Sequence, residues 1–307
     1  SIKDQASPVA LAIRGIVQEE MLHMALACNI LVALGGTPPI ADPGFAPSYP
    51  GPLPGGVHPS LRVALSGLTR EVVQAFMTIE RPETDLTKAT PELVAAARLD
   101  PADDGATGIG TLYDCILAAF QTLKPDLATD RQISGPLSWY AVRTLKEVED
   151  AIGLIRHQGE GTAKHPGEGA DKVTGKHELA HFYRFLEIHS GKAIGPLPGS
   201  DLWGFTGETV SWPEVWPVAE VPAGGHDPAL APAPVAALLR EFDRGYALLL
   251  RQLHDLWATG DQGLLVAAIG TMFTMQGPAR ALMQIPIPGD AGNRTYAPNF
   301  RIPEGAP

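Results

Sequence analysis

The chain has 307 residues, of which 45% are hydrophobic and 19% charged, and its formal net charge at pH 7 is −11. This length suits one large domain or two small ones, and the apolar content is enough for a proper core. Lys and Arg form no cluster, which argues against nucleic acid and anionic membrane surfaces as partners, and no apolar run approaches the length of a membrane span.

The N-terminal part of the chain predicts one long helix followed by a long irregular stretch. The helix covers residues 8–34, with Ser7 as its N-cap and Pro8 in its first turn. Residues 35–59 are so rich in Gly and Pro that regular structure is excluded through most of them. Alternating apolar residues at 61–65 then indicate a short extended piece.

Seven further helices are predicted from apolar spacing and end signals. They cover residues 68–80, 90–98, 109–123, 141–160, 176–190, 233–258 and 262–283. Residues 191–234 are predicted to be irregular and contain Trp203, Trp212 and Trp216, as either a packed surface loop or one wall of a substrate cavity. The whole pattern predicts a mainly α protein with a single domain: a bundle core of about 8–190, the loop 191–234 and C-terminal helices at 235–284.

The N-terminus and the two cysteines bear on the cellular compartment of the protein. The chain begins Ser1-Ile2 without an initiator Met or a signal-peptide pattern, so we expect the true start to lie upstream. Cys28 and Cys115 both fall inside helical patterns, which predicts two buried free thiols and fits a reducing cytoplasm. Neither has neighbours at zinc-finger spacing.

Two Glu-x-x-His tetrads carry the strongest chemical signal. One joins Glu20 to His23 in the first helix, and the other joins Glu178 to His181 in the predicted helix 176–190. On a helix this spacing points both side chains the same way, about one turn apart. A Glu-x-x-His on each of two helices, with one Glu from each of two others, is the ligand set of ferritin-like di-iron bundles.

The helical face around Glu20 strengthens the metal hypothesis. Glu20 lies in the middle of a predicted apolar stripe formed by Ile13, Ile16, Val17, Met24, Ala27 and Leu31. A carboxylate there is costly unless something compensates it, and a metal cation does so by favouring the ionised form. The alternative is a buried Glu–Arg or Glu–His contact that holds a helical core. Glu187 falls on the opposite face of its helix and is predicted to be solvated.

Carboxylates with one imidazole per metal suit iron, with manganese possible, better than zinc. We therefore predict two iron ions, with Glu20 and Glu178 as bridging or chelating ligands and His23 and His181 each binding one ion. Open coordination positions would permit O₂ activation and oxidation of a small organic substrate. The chain contains no G-x-G-x-x-G or P-loop motif, and no organic cofactor is evident.

A further carboxylate should come from the helix facing the tetrads. The candidates are Glu147, Glu149 and Glu160. Glu149 lies closer to the apolar stripe than Glu160, but an antiparallel turn would bring the helix end at Glu160 beside Glu178. His189 lies two turns from His181 on the same face and is the best histidine candidate for supporting the ligands.

Several blocks spread along the chain carry a family resemblance. They are EEMLHMALACNIL at 19–31, GGTP at 35–38, YPGPLPGG at 49–56, FMTIE at 76–80, IGTLY at 109–113, QGEGT at 158–162, ELAHFYRF at 178–185 and PNF at 298–300. Together they resemble the ferritin-like domain of the violacein-pathway iminophenyl-pyruvate dimer synthase and its stand-alone relatives. The resemblance implies a ferritin-like helical bundle with a di-iron or related metal site.

The resemblance also bears on individual residues. It supports Glu160, which lies in the family's Gln-Gly-Glu-Gly block, and it draws attention to Glu80 and Tyr113 as residues that line the pocket or support the ligands. Two departures stand out. Family members begin with a helix that contributes another Glu and precedes Ser1, and Thr111 stands where relatives carry an acidic residue.

The resemblance does not fix a reaction. In the violacein-type enzymes this domain is joined to a haem-containing part linked to oxidative coupling, so that activity is not carried over. We predict a cytoplasmic di-iron oxidase or oxygenase acting on a small organic metabolite, with an apolar pocket closed by the Trp-rich segment. The alternatives are a non-catalytic metal-binding or iron-handling protein and a metal-free scaffold. Apolar surface left by the absent helix would favour a homo-oligomer.

Overall fold

The computed structural model describes residues 1–82, 87–97, 109–135, 138–160, 166 and 179–302. Its helices are α1 (Pro8–Ala33), α2 (Arg70–Ile79), α3 (Pro91–Ala97), α4 (Ile109–Leu123), α5 (Leu145–Gly159), α6 (His181–Ser190), α7 (Ala233–Thr259) and α8 (Gly263–Leu282). Two strands, β1 (Lys192–Pro196) and β2 (Trp203–Thr209), and one 3₁₀ turn, Pro54–Gly56, complete the described elements. The prediction of a mainly α bundle is confirmed.

Hydroxyl side chains cap the N-termini of several helices, and Ser7 is the N-cap of α1 as predicted. The Ser7 hydroxyl accepts a hydrogen bond from the Ala10 N–H, and Pro8 is the first residue of α1. Thr69 and Thr144 cap α2 and α5 in the same way. These contacts satisfy backbone donors that have no partner inside the helix, which fixes where each helix begins.

Helix α6 begins later than predicted. It starts at His181, and Ala180 before it has extended backbone angles. The guanidinium of buried Arg184 donates through Nε to the Leu179 carbonyl, which holds the entering chain against the first turn. The predicted helix 176–190 is therefore wrong at its start, because apolar spacing does not report a non-helical entry. Glu178 lies outside the described residues.

Two apolar cores share the long helix α1. Its C-terminal half packs with α4, α5, α7 and α8 around fully buried residues such as Leu26, Ile152 and Trp257. Its N-terminal half packs with α2, α3, α6 and the sheet around Val9 and Phe182. The middle of α1, where both predicted site residues of its tetrad lie, falls between these two cores.

The buried face of α1 is not the predicted one. Val17 is 52% exposed and Leu31 38% exposed, whereas Leu22, Ala25 and Leu26 on the other side are buried. Both faces of the helix are apolar, so periodicity alone could not choose between them. The predicted stripe around Glu20 is wrong for this reason, although Ile16 within it is buried.

Helix α1 also corrects the prediction that no apolar segment is long enough to span a membrane. Among the described residues it is long and apolar enough to cross a membrane by length and composition. In the folded protein, however, 56% of its most apolar window is buried. This burial is what a core helix of a packed domain requires, so its apolar character is accounted for by the bundle.

The segment 191–234 contains a hairpin that the sequence did not reveal. β1 and β2 pair antiparallel, with Ile194 opposite Phe205, and the rest of the segment is irregular as predicted. The Arg70 guanidinium lies 4.9 Å from the centre of the Trp212 ring, so this tryptophan packs on α2.

The prediction of two buried thiols is confirmed for Cys28, where burial raises the pKa of the thiol to about 12. It is wrong for Cys115, which is exposed.

Asn29 is a polar centre inside the larger core. Its carbonyl oxygen accepts hydrogen bonds from the Ile133 N–H at 2.9 Å and the Trp257 indole N–H at 3.0 Å. Its amide nitrogen donates to the Ile133 and Tyr140 carbonyls at 2.7 and 2.8 Å. The side chain is completely buried and joins α1 to α7 and to the loop before α5.

Candidate metal centre

Three potential metal ligands converge between the two cores. Ligand atoms of Glu20, His23 and His181 all lie within 4.8 Å of one another. Helix α1 presents Glu20 and His23 one turn apart, and α6 presents His181 as its first residue. The two imidazole rings stack with their centroids 5.4 Å apart. The structure thus brings together three residues that the tetrads single out, from segments about 160 positions apart in sequence.

Both histidines turn the same ring nitrogen toward Glu20. The Nδ1 atom of His181 lies 2.9 Å from Glu20 Oε1 and 3.9 Å from Glu80 Oε1, and the Nδ1 atom of His23 lies 3.6 Å from Glu20 Oε1. The His181 side chain is completely buried, yet its Nδ1 has no partner in hydrogen-bond geometry. A buried polar nitrogen without a hydrogen bond is rare and is typical of catalytic and ion-binding sites.

The other ring nitrogens are held by acceptors. His181 Nε2 lies 2.7 Å from Glu19 Oε2, and His23 Nε2 lies 2.8 Å from the amide oxygen of Gln158. A carboxylate and an amide oxygen only accept, so both Nε2 atoms carry the proton and a neutral ring keeps its lone pair on Nδ1. Histidines that bind metals in proteins are oriented in this way.

Two further carboxylates lie beside the cluster. Glu80 ends α2 and Glu160 ends α5, and both line a cavity of about 110 Å³ together with Glu20 and His23. The other lining residues are Ile79, Ile109, Tyr113, Ile155, Arg156 and Gly159. A Cβ atom at Gly159 would lie 2.7 Å from Glu80 Oε2, so this glycine permits the close approach of the carboxylate.

The charges of the cluster are strongly coupled. Burial lowers the pKa of His181, but contacts with Glu19, Glu20 and Glu80 outweigh it and raise the pKa to about 11. Burial favours neutral Glu20, but His181 and His23 outweigh this and lower its pKa. Burial, followed by the charges of Glu20 and Glu80, raises the pKa of Tyr113 to about 12. A proton on His181 therefore balances the carboxylates, and a metal cation could replace it.

Not every predicted site residue lies at the cluster. His189 is eight residues beyond His181 on α6, about 12 Å away by helical rise, and the Arg70 guanidinium donates to its carbonyl. Glu147 accepts hydrogen bonds at the start of α5, and Glu149 accepts one from Gln121. Among the described residues, the walls of the cavity include Glu160, Glu80 and Tyr113 but none of these three.

Glu187 and the tryptophans also differ from their predicted roles. Burial raises the pKa of Glu187, whose carboxylate accepts a hydrogen bond from the Ile194 N–H at 2.7 Å, so it is not a solvated charge. Trp203 and Trp212 pack in the second core and Trp216 beside Val218, and none of the three is among the described residues that line the cavity. Among the described residues that line this cavity, none comes from the segment 191–234.

Sequence reasoning assigned no role to Glu19, Gln158 or Arg184. Glu19 Oε2 accepts hydrogen bonds from both His181 and the Arg184 guanidinium, the latter at 2.5 Å. The sequence offered one signal, the position of Arg184 three residues after His181 in a predicted apolar helix, because an arginine buried there requires a carboxylate partner. The choice between adjacent Glu19 and Glu20 needed the position of α6, which the sequence does not contain.

Comparison with known proteins agrees with the fold. The model of the ferritin-like family matches residues 1–190, more than half of the chain, so the chain belongs to the ferritin-like family. This confirms the family predicted from the sequence blocks. The matched part contains helices α1 to α6 and with them every residue of the cluster.

A curated relative is known as well. The chain is 25% identical over 321 aligned residues to dichlorochromopyrrolate synthase from Lentzea aerocolonigenes. The alignment covers 94% of this chain but 29% of the relative, so the chain spans less than a third of that protein's length. No solved structure matches the chain.

Proposed function

We propose that this protein is a carboxylate–histidine metalloprotein that acts as an O₂-dependent di-iron oxidase or oxygenase on a small organic metabolite. The observation that carries the proposal is the convergence of ligand atoms of Glu20, His23 and His181 within 4.8 Å, with both Nδ1 atoms facing the same Glu20 oxygen. Membership in the ferritin-like family supports a metal, and the similarity to a synthase supports a biosynthetic substrate.

The donor set fits such ions. Glu20, His23 and His181 would hold the metal, and Glu80 and Glu160 would supply further oxygens from the cavity wall. Glu178 remains a predicted ligand from the sequence. Carboxylate oxygens with one imidazole per ion suit iron, with manganese as the alternative, and we propose two ions. When bound, such ions supply a Lewis-acidic and O₂-reactive centre.

The protein's own residues would prepare this centre. Glu19 and Gln158 hold the two rings so that both lone pairs face Glu20. Ile79, Ile109 and Ile155 restrict water on the cavity wall. The raised pKa of Tyr113 keeps its phenol protonated, so the hydroxyl can donate a hydrogen bond toward an oxygen-containing ligand.

The cavity volume limits what can enter beside the ions. Pockets for drug-sized ligands are typically about 300–1,000 Å³. The 110 Å³ cavity is much smaller and suits dioxygen or water. We propose that the organic substrate is small and approaches the half-exposed side of Glu20, whose side chain is 47% accessible.

One observation favours a second function, a metal-free biosynthetic scaffold. Protonated His181 lies between Glu19 and Glu20, and Arg184 pairs with Glu19, so the charges balance without a metal. A buried ion-pair network of this kind can be purely structural.

For either function, the net charge of −11 disfavours nucleic acid and anionic membranes as partners. We propose a cytoplasmic protein that could form a homo-oligomer.

Anaerobic reconstitution with Fe(II) separates these functions. We expect purified protein to retain iron by elemental analysis, the variant His181→Ala to lose it, and the matched control His189→Ala on the same helix to keep it. Reduced, iron-loaded protein should then consume O₂ faster when a suitable substrate is added. Retention of iron without O₂ consumption under any substrate would indicate metal binding alone, and absence of iron in the wild type would favour the scaffold.

A further inference from the structure

The two histidines of the cluster are held by chemically different partners. The His181 ring donates to an ionised carboxylate, that of Glu19, whereas the His23 ring donates to a neutral amide, that of Gln158. Both rings otherwise turn the same nitrogen toward Glu20. The two histidines thus face Glu20 in the same way, but their Nε2 atoms contact partners of different charge.

We propose that Glu19 is a positioning residue that makes His181 the stronger of the two imidazole ligands, so that the first metal ion binds against His181 and not against His23. This inference rests on the proposed metal site and adds an order to its filling. It assigns Glu19 a role through His181, with no contact between Glu19 and the metal required.

The first argument is electrostatic. A hydrogen bond to a carboxylate is about twice as strong as one to a neutral acceptor, and it shifts electron density toward the unprotonated ring nitrogen. His181 therefore offers a better donor atom to a cation than His23 does. The amide oxygen of Gln158 fixes the orientation of His23 without adding a negative charge.

The second argument is rigidity. Glu19 Oε2 accepts from both His181 Nε2 and the Arg184 guanidinium, and Arg184 Nε in turn donates to the Leu179 carbonyl. This chain of contacts fixes the carboxylate, the ring and the backbone that enters α6. Glu19 is only 16% exposed and the His181 side chain is fully buried, so water weakens the interaction little.

The test is a Co²⁺ titration of the metal-free full chain, followed by calorimetry and by visible absorption. Substitution Glu19→Gln keeps the size of the side chain but removes its charge. We expect affinity for the first Co²⁺ to fall about 10- to 100-fold, the range for partners that orient metal-binding histidines, with a shifted absorption band. Gln158→Leu should change that first step less than about threefold, because it acts on His23.

Two controls separate positioning from charge and from folding. Glu149→Gln removes one negative charge from α5 at a residue that contacts Gln121 and not the cluster, and should leave the first step unchanged. Circular dichroism of the metal-free variants checks that α1 and α6 persist. If Glu19→Gln does not fold, Gln158→Leu still decides: a large loss in the first step would overturn the assignment.

The outcomes distinguish this inference from the proposed function. Normal Co²⁺ binding by the wild type, with equal first-step affinities in Glu19→Gln and Glu149→Gln, overturns the role of Glu19 and leaves the metal site intact. An equal loss in Glu19→Gln and Gln158→Leu overturns the order of filling. No Co²⁺ binding by the wild type overturns the proposed function itself.

Discussion

Helix α1 carries two polar centres, nine residues apart, that differ in how their hydrogen bonds are satisfied. At Asn29 the oxygen accepts two hydrogen bonds and the nitrogen donates two, so no capacity is left over. At Glu20 several carboxylates surround a buried imidazole whose Nδ1 lies 2.9 Å from Glu20 Oε1 without hydrogen-bond geometry. A satisfied centre stabilises a fold, whereas an unsatisfied one with excess carboxylate is suited to a cation.

The largest effect should come from the satisfied centre. Asn29→Leu leaves the Trp257 indole N–H and the backbone groups of Ile133 and Tyr140 without partners inside the core. We expect the free energy of unfolding to fall by about 3–5 kcal/mol, measured by urea denaturation. The exposed amide Gln121 provides the control, since Gln121→Leu should change stability by less than about 0.5 kcal/mol. Equal losses in both variants would show that Asn29 is not a structural centre.

The next effect should separate the two centres by metal affinity. Glu20→Gln keeps the shape of the side chain but removes the carboxylate that both Nδ1 atoms face. We expect Mn²⁺ affinity, measured by calorimetry, to fall more than about 100-fold, beyond the effect of residues that only orient a ligand. Stability without metal should change much less than in Asn29→Leu. An affinity within threefold of the wild type would remove Glu20 from the ligand set.

As pH rises, the stability of the metal-free protein should fall, whereas its affinity for metal should rise. The raised pKa of His181 means that its protonated form stabilises the metal-free fold below pH 6.5, and this contribution is lost as pH rises from 6.5 toward 11. Metal must displace that proton, so its affinity should rise by up to about tenfold per pH unit over the same window. Thermal unfolding and calorimetry between pH 6.5 and 9 measure both slopes, and slopes of the same sign would contradict the exchange of proton for metal.

The smallest effect concerns the cavity wall. Gly159→Ala places a Cβ 2.7 Å from Glu80 Oε2 and should push that carboxylate away from the cluster, with a loss of metal affinity of about tenfold or less. Gly153→Ala is the matched control on the same helix, because a Cβ there meets nothing within 4 Å. If the two variants bind Mn²⁺ equally, Glu80 does not take part in the centre.

Much of the fold could be predicted from local signals. Ser7 marked the start of α1 correctly because capping acts between near neighbours, whereas α5 begins at Leu145 and not at the predicted residue 141. The buried face of α1 and the hairpin β1–β2 could not be predicted in the same way. Both depend on which distant segment packs against them, and α1 offers apolar residues on two faces.

The candidate site likewise contains residues that the sequence predicts and residues that it does not. The spacing of Glu20 and His23 and the position of His181 were readable, and the structure brings these three together. Glu19, Gln158 and Arg184 were not singled out, because their significance arises from contacts between α1, α5 and α6. Among the described residues that line the cavity, His189 is absent, because two turns along a helix place its side chain far from His181.

Anomalous diffraction from crystals grown with Mn²⁺ tests the central claim most directly. We predict anomalous density beside Glu20, with one peak about 2.0–2.3 Å from His181 Nδ1 and, at higher occupancy, a second at the same distance from His23 Nδ1. The Asn29 region of the same crystal serves as an internal reference, because that satisfied centre should show no peak. Well-ordered side chains at Glu20, His23 and His181 without an anomalous peak between them would contradict the claim.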